Sequence, residues 1–199
     1  MQMIATKTPS IEEFLRTPEN ERCEYAHGEQ WEKPLPNSQH SELQGLLAAA
    51  LVQYGRQSGN GKAFPEWHHR FGPEDDKRIY VPDLAFVCAP RHTRVPVYAD
   101  RASDVMIEIV SPSESAARLT AKVEFYLHNG ARSVWVVDPE TLRIDVYAPG
   151  KSMCTAPRRP EGRRQPKGLT PLQFGSSDTL TDAVLPGFEL PLGDFFAGI

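Results

Sequence analysis

Three ionisable side chains lie in segments whose patterns otherwise predict buried structure. The stretch 113–129 has the spacing of a helix, and Lys122 falls on its apolar face. Asp83 and Glu108 stand in two apolar segments that are typical of β-strands. A lysine that points into the protein needs an anionic partner there, so we expect the three side chains to meet.

This combination of residues suits the chemistry of phosphodiester hydrolysis. If Asp83 and Glu108 face the same way on neighbouring strands, they lie within reach of one Mg²⁺ or Mn²⁺ ion, which prefers oxygen ligands. Such an ion polarises a phosphoryl oxygen and lowers the pKa of a bound water, while the Lys122 ammonium neutralises developing charge. A structural ion-pair network of the same three residues is the other interpretation, and spacing alone leaves both open.

Three further side chains are candidates for the same site, each with an alternative role. Glu66, in the preceding strand segment, could be a third metal ligand or an exposed glutamate on an edge strand. His40 lies on the Leu43 and Leu47 face of the first long helix, where it could orient a carboxylate, bind phosphate or be a core histidine. Glu24 could support the site from the N-terminal region or form a structural salt bridge.

The order of predicted elements indicates an α/β (α+β) fold with a mixed sheet flanked by helices. A capping box at Ser10 opens a short helix, and a second helix begins near Pro36 and ends at Gly55. Pro82 predicts that one strand starts late or is unpaired on one side there. The segment 105–137 is expected to be one parallel strand–helix–strand unit, because its links are short. The remaining predicted elements are a hairpin over 22–34 and strands over 62–71, 79–88, 105–110, 133–137 and 143–147.

Length and composition favour a single globular domain over 1–199. The chain has 199 residues, of which 40% are apolar and 24% charged, which is enough for one core. No segment has the composition of an interdomain linker. The parts of the domain are an N-terminal helix and hairpin (10–34), a core (about 36–148), a basic loop (about 149–177) and a C-terminal tail (178–199).

Charge and cysteine content narrow the class of protein. The formal net charge of −4 argues against a general nucleic-acid coat but leaves a local basic groove open. No apolar run is long enough to span a bilayer, and no signal-peptide pattern opens the chain. The widely separated Cys23, Cys88 and Cys154 are typical of reduced thiols. We therefore expect a cytoplasmic protein.

Taken together, a series of short motifs resembles the Uma-two family of the restriction-endonuclease-like superfamily, which is named for its PD-(D/E)xK signature. The resemblance covers roughly residues 20–196 without the basic loop. The motifs are Cys23-Glu24-Tyr-Ala-His-Gly28, Asn37-Ser-Gln-His40, Pro82-Asp83, Ile107-Glu108-Ile-Val-Ser-Pro-Ser113, Lys122 with Tyr126 and Gly130, Val134-Trp135-Val-Val-Asp-Pro139 and Leu185-Pro-Gly-Phe188.

The resemblance implies a nuclease core of helix, three-stranded antiparallel meander, helix and parallel strand. It implies that Asp83 and Glu108 bind Mg²⁺ or Mn²⁺, with DNA as substrate and a possible homodimer. The superfamily lysine usually stands two residues after the acid, where this chain has Val110, so Lys122 would be its migrated counterpart. The chain also has Arg118 where the family often has an aspartate.

Two other functions remain open at this stage. A relative that keeps the fold as a nucleic-acid-binding or regulatory module would bind without hydrolysis and tolerate substitution of Asp83. A glycosidase with two carboxylates would need neither metal nor lysine. Metal dependence separates the first of these from a nuclease, and EDTA-insensitive cleavage of a sugar would identify the second.

Overall fold

The computed structural model describes residues 11–20, 22–26, 29–72, 78–91, 96–112, 114–149 and 169–199. The helices and strands within these ranges follow the chain in an alternating order. They are α1 (Ile11–Arg16), β1 (Cys23–Ala26), β2 (Glu29–Glu32), α2 (Ser38–Ser58), β3 (Gly61–Pro65), β4 (His69–Phe71), β5 (Arg78–Tyr80), β6 (Leu84–Cys88), β7 (Val105–Ile109), α3 (Ala116–His128), β8 (Ser133–Asp138), β9 (Arg143–Tyr147), β10 (Leu172–Gly175), β11 (Thr179–Asp182), β12 (Leu185–Pro191) and α4 (Leu192–Phe195).

A six-stranded mixed sheet with the order β10-β9-β8-β7-β6-β3 forms the centre of the fold. Strands β3, β6 and β7 make an antiparallel meander, and α3 then leads to β8, which pairs parallel to β7. Apolar residues of α2 pack on one face of this sheet and those of α3 on the other. The predicted mixed sheet flanked by helices is therefore confirmed.

The two longest predicted strands are each divided between two sheets. The segment 62–71 separates into β3 and β4, and 79–88 into β5 and β6. Both breaks have a backbone cause, because Pro82 has no N–H to donate and Glu66 has a positive φ of 50°. Strands β4 and β5 pair with each other and join the β1–β2 hairpin in a smaller sheet, so Asp83 lies just before β6.

Two other boundaries differ from the sequence prediction. The predicted loop over 149–177 contains β10, which pairs antiparallel to β9 at the edge of the large sheet. Four residues are too few to show a period, so only the pairing partner reveals this strand. The basic residues Arg158, Arg159, Arg163, Arg164 and Lys167 lie outside the described residues.

The prediction that α2 ends at Gly55 was wrong. The helix continues to Ser58, and Gly59 ends it in the left-handed conformation with φ 69°. Gly55 has a different reason to be glycine. A β-carbon there would lie 2.5 Å from the carbonyl oxygen of Gly61 at the start of β3. The absence of a side chain lets α2 pack directly against the strand.

Replacing Gly55 by alanine should therefore destabilise the protein despite the better helix propensity of alanine. We expect the free energy of unfolding to fall by about 2 kcal/mol, since the new methyl group meets rigid backbone. Gly45→Ala in the same helix is the control, because nothing lies within 4 Å of a β-carbon there. It should gain up to about 1 kcal/mol from propensity. Urea denaturation measures both, and equal effects at the two positions would contradict the packing argument.

His69 is fully buried in β4 and predicts an acid-sensitive fold. Its Nδ1 lies 2.7 Å from the Trp67 carbonyl oxygen, and its Nε2 lies 2.8 Å from Ser103 Oγ. A carbonyl only accepts, so Nδ1 donates and Nε2 accepts from the serine hydroxyl. Burial lowers the pKa of His69 to about 4, which keeps the ring neutral in the folded protein.

Between pH 6.5 and about 4 the unfolded chain binds a proton at this position that the folded protein does not. Stability should therefore be unaffected by His69 above pH 6.5 and should fall below it, by up to about 3 kcal/mol at pH 4. His69→Gln should flatten this part of the stability profile, while His68→Gln should leave it unchanged. Parallel profiles for wild type and His69→Gln would show that the ring does not titrate as described.

Two further sequence predictions concern thiols and membranes. Cys23 and Cys88 are free thiols, whereas Cys154 lies outside the described residues. Among the described helices, none combines the length and apolar character needed to cross a bilayer.

Candidate active site

Asp83 stands at the junction of the two sheets, where its carboxylate is held from several sides. Its Oδ2 accepts a hydrogen bond of 2.7 Å from the backbone N–H of Ile109 and lies 3.3 Å from His40 Nε2. Its Oδ1 pairs with Lys33 Nζ at 2.9 Å. Burial alone would raise the pKa of Asp83, but the Lys33 charge and the His40 hydrogen bond outweigh burial and hold it below its usual range.

Glu108 lies in the middle of β7, where the structure buries it almost completely. Its Oε1 accepts hydrogen bonds from the Tyr126 hydroxyl and from Lys122 Nζ, each at 2.7 Å. Burial raises the pKa of Glu108 to about 8 against the attraction of Lys122, and the nearby Asp83 and Glu24 add to the rise. Glu108 is therefore a carboxyl that a further cation would help to ionise.

Lys122 points inward from α3, as its place on the apolar face predicts. Its Nζ lies 2.7 Å from Glu108, 3.0 Å from Glu24 and 4.0 Å from Glu114. Only 3% of its side chain is exposed, and burial would lower its pKa. The attraction of Glu108, followed by that of Glu24, outweighs burial and keeps the pKa of Lys122 well above its ordinary value. The lysine is thus a permanent cation enclosed by carboxylates.

Glu24 is brought to Lys122 by the N-terminal hairpin. Its Oε1 also accepts from the backbone N–H of Val81 at 3.2 Å, and its Oε2 pairs with Arg118 Nη2 at 2.7 Å. Arg118 stands where the family often has an aspartate, and its guanidinium also covers the Trp31 ring at 4.7 Å. Both oxygens of Glu24 are therefore engaged, and it acts to position Lys122.

Glu66 occupies the bend between β3 and β4, at the rim of the site. Its side chain is 42% exposed, and its Oε1 lies 3.5 Å from Lys33 Nζ. Gln44 Nε2 donates to the same oxygen at 3.3 Å, and the Glu66 backbone N–H donates to the Asp83 carbonyl at 3.2 Å. Glu66 is therefore next to Asp83, although the two strands they precede and follow belong to different parts of the sequence.

Lys33 is the site residue that the sequence analysis missed. It directly follows β2, and 50 positions separate it from Asp83 along the chain. Its segment has no helical or strand period that would predict an inward direction. Only the pairing of the hairpin with β5 places it against Asp83, so no local signal could have identified it.

One groove with a volume of about 630 Å³ brings these side chains together. All six residues predicted for the site are among those that line it: Glu24, His40, Glu66, Asp83, Glu108 and Lys122. Among its described lining residues, six carboxylates (Glu24, Glu32, Glu66, Asp83, Glu108 and Glu114) face four basic groups (Arg22, Lys33, Arg118 and Lys122). The excess of negative charge makes the groove favourable for an additional cation.

The donor set fits a hard divalent cation in its chemistry. Asp83, Glu108 and Glu66 supply oxygens, and the position between Asp83 and Glu66 already attracts a cation, the Lys33 ammonium. Within the described parts of the chain, no three His, Cys, Asp or Glu side chains are already spaced as a metal-ligand set. Metal binding therefore requires Lys33 to leave Asp83 and the carboxylates to draw closer.

The β3–β6–β7 meander, α3 and the parallel β8, with carboxylates at the junction of β6 and β7, define a restriction-endonuclease-like fold. The same fold is seen in the crystal structure of "a putative nuclease belonging to DUF820" from Anabaena variabilis ATCC 29413. That structure matches with a TM-score of 0.76 and 23% identity over 94% of this chain and 97% of the other. A family model matches residues 11–193, and the chain belongs to this family, Uma2, described as "Putative restriction endonuclease". No curated protein sequence matches significantly.

Proposed function

We propose that the protein is an endonuclease that uses Mg²⁺ or Mn²⁺ to hydrolyse phosphodiester bonds of DNA. The observation that carries this proposal is the convergence of Asp83, Glu108 and Lys122 in one groove rich in carboxylates. The description of the family and that of the protein from Anabaena variabilis support the same class of reaction. We further propose a cytoplasmic protein that acts as a homodimer, since two sites related by two-fold symmetry can cut both strands of a duplex.

The residues divide the work between holding an ion and fixing its ligands. Asp83 and Glu108 would hold the divalent ion with Glu66 as a third ligand, and the ion would polarise a phosphoryl oxygen and lower the pKa of a bound water. The Ile109 N–H and His40 fix Asp83 Oδ2, which leaves Oδ1 directed at the groove.

Glu108 is oriented from the opposite side by α3. The Tyr126 hydroxyl and the Lys122 ammonium both donate to its Oε1, so the rotamer of the carboxyl is set before any ligand arrives. Glu24 and Arg118 extend this network to the hairpin. Such fixed dipoles and charges lower the reorganisation that the reaction requires.

A second candidate function is a non-catalytic, nucleic-acid-binding or regulatory member of the family. The observation that favours it is the Lys33–Asp83 ion pair, because an ammonium in the cation position can replace a metal in a purely structural network. Binding of DNA without cleavage in any divalent metal would support this function.

Calorimetric titration with Mn²⁺ tests the proposal without any assumption about substrate. Wild type should bind one ion, and Glu108→Gln should lose at least about a hundredfold in affinity, more than the loss of an outer-shell partner costs. Glutamine keeps the size of the side chain and can still accept from Tyr126. Glu124→Gln, at an exposed position of α3, is the matched control and should bind as wild type does.

The outcomes separate the two functions. Unchanged affinity in Glu108→Gln would remove Glu108 from the ligand set. Absence of Mn²⁺ binding by wild type, both alone and with DNA present, would favour the non-catalytic function.

A further inference from the structure

The two lysines of the groove differ in what surrounds them. Lys122 is enclosed by Glu108, Glu24 and Glu114, and only 3% of its side chain is exposed. Lys33 has 10% of its side chain exposed and contacts Asp83 and Glu66 at the wall of the groove. Lys33 is therefore the ammonium that a molecule in the groove would meet first.

Lys33 also occupies the oxygen that a divalent ion needs. Asp83 Oδ2 is engaged by the Ile109 N–H at 2.7 Å and by His40 at 3.3 Å, so Oδ1 is the oxygen available for a metal. Lys33 Nζ lies 2.9 Å from Oδ1. Burial would lower the pKa of Lys33, but Asp83, followed by Glu108, raises it, which shows that this ammonium is attracted by both main proposed ligands. An ion and Lys33 must compete for the same position.

Displacement of Lys33 requires a change in its side chain alone. Its backbone N–H donates to the Arg22 carbonyl at 2.8 Å, which anchors the end of the hairpin. The four-carbon stem can rotate about this anchor and carry the ammonium into the groove. Val110, at the usual position of the superfamily lysine, supplies no charge, and Lys122 is engaged elsewhere. A displaced Lys33 is thus placed to meet an anionic substrate.

We propose that Lys33 is a catalytic residue that exchanges Asp83 and Glu66 for a substrate phosphate when a divalent ion binds. This inference rests on the proposed metal-dependent function. It assigns to Lys33 two opposite effects. Without substrate it weakens metal binding, and with the metal in place it strengthens phosphate binding.

The first test is titration of Mn²⁺ alone into wild type, Lys33→Met and Lys33→Gln. Removal of a positive charge at hydrogen-bond distance from a ligand oxygen should tighten Mn²⁺ binding by about tenfold or more. Both variants keep much of the volume of lysine, and circular dichroism checks that each is folded. Lys62→Met, at an exposed position of β3, removes the same charge at a distance and should bind Mn²⁺ as wild type does.

The second test uses thymidine 5′-monophosphate as a phosphate probe with the protein saturated in Mg²⁺. Loss of a charged hydrogen bond should weaken nucleotide binding by Lys33→Met about tenfold, while Lys62→Met stays unchanged. A residue with a purely structural role would not move metal affinity and phosphate affinity in opposite directions.

The results distinguish this inference from the proposed function on which it rests. If wild type binds Mn²⁺ and Lys33→Met binds it no tighter, or binds the nucleotide equally well, the role of Lys33 is overturned and the metal site stands. If Lys33→Met binds Mn²⁺ and wild type does not, the competition is supported. If neither protein binds Mn²⁺, both the metal site and the role of Lys33 are overturned.

Discussion

Asp83→Asn should abolish metal-dependent DNA cleavage, lowering the rate by at least about a thousandfold, since the bound ion supplies several kcal/mol of transition-state stabilisation. The substitution removes the negative charge from Oδ1, the oxygen that faces the groove. The asparagine carbonyl can still accept the hydrogen bond from the Ile109 N–H, which preserves the link between β6 and β7. The loss is therefore expected in catalysis more than in folding.

The measurement is cleavage of supercoiled plasmid in Mg²⁺ and in Mn²⁺, with protein purified in parallel from each variant. Asp100→Asn is the control, because Asp100 is an exposed aspartate outside the groove. It should cleave at the wild-type rate. Undiminished cleavage by Asp83→Asn would show that the activity belongs to another site or to a contaminant.

Lys122→Met should lower the free energy of unfolding by about 3 kcal/mol or more, the range found when one partner of a buried ion pair is removed. From its place on an apolar helix face alone, methionine would be a conservative replacement for this residue. The structure reverses that expectation, because Glu108 and Glu24 lie 2.7 and 3.0 Å from the ammonium. Without it, two buried carboxylates are left near each other.

A double variant separates lost charge balance from lost packing. Lys122→Met combined with Glu108→Gln removes both members of the closest pair and should recover part of the stability, whereas additive losses would contradict the ion-pair account. Urea denaturation at pH 7.5 measures all three proteins. Lys122→Met should also lack nuclease activity, because Glu108 loses one of the two groups that orient it.

The parts of the site that were predictable from sequence lie in periodic elements. Lys122 belongs to a helix whose apolar stripe fixes its direction, and Glu108 belongs to a strand with a continuous apolar run. For both residues, burial follows from the neighbours along the chain. The parallel β7–α3–β8 unit was predictable for the same reason, since short links between a strand, a helix and a strand allow few arrangements.

The parts that were missed depend on contacts between distant segments. Lys33 reaches Asp83 because β1 pairs with β5, and Arg118 compensates Glu24 because α3 crosses the hairpin. Gly55 was taken for a helix end, although its role depends on the approach of Gly61 in three dimensions. Periodicity and propensity carry no information about such pairs.

The N-terminal hairpin has a consequence for how the site forms during folding. Tyr126 reaches Glu108 across 18 positions of the chain, while Arg118 reaches Glu24 across 94. The longer closure costs more chain entropy, so the sheet and α3 can assemble before the hairpin docks. A local opening of the hairpin would remove an anion from Lys122 and a cation from Asp83 in one step while leaving the six-stranded sheet paired. The catalytic groove is thus the last part of the domain to form and the first to be lost.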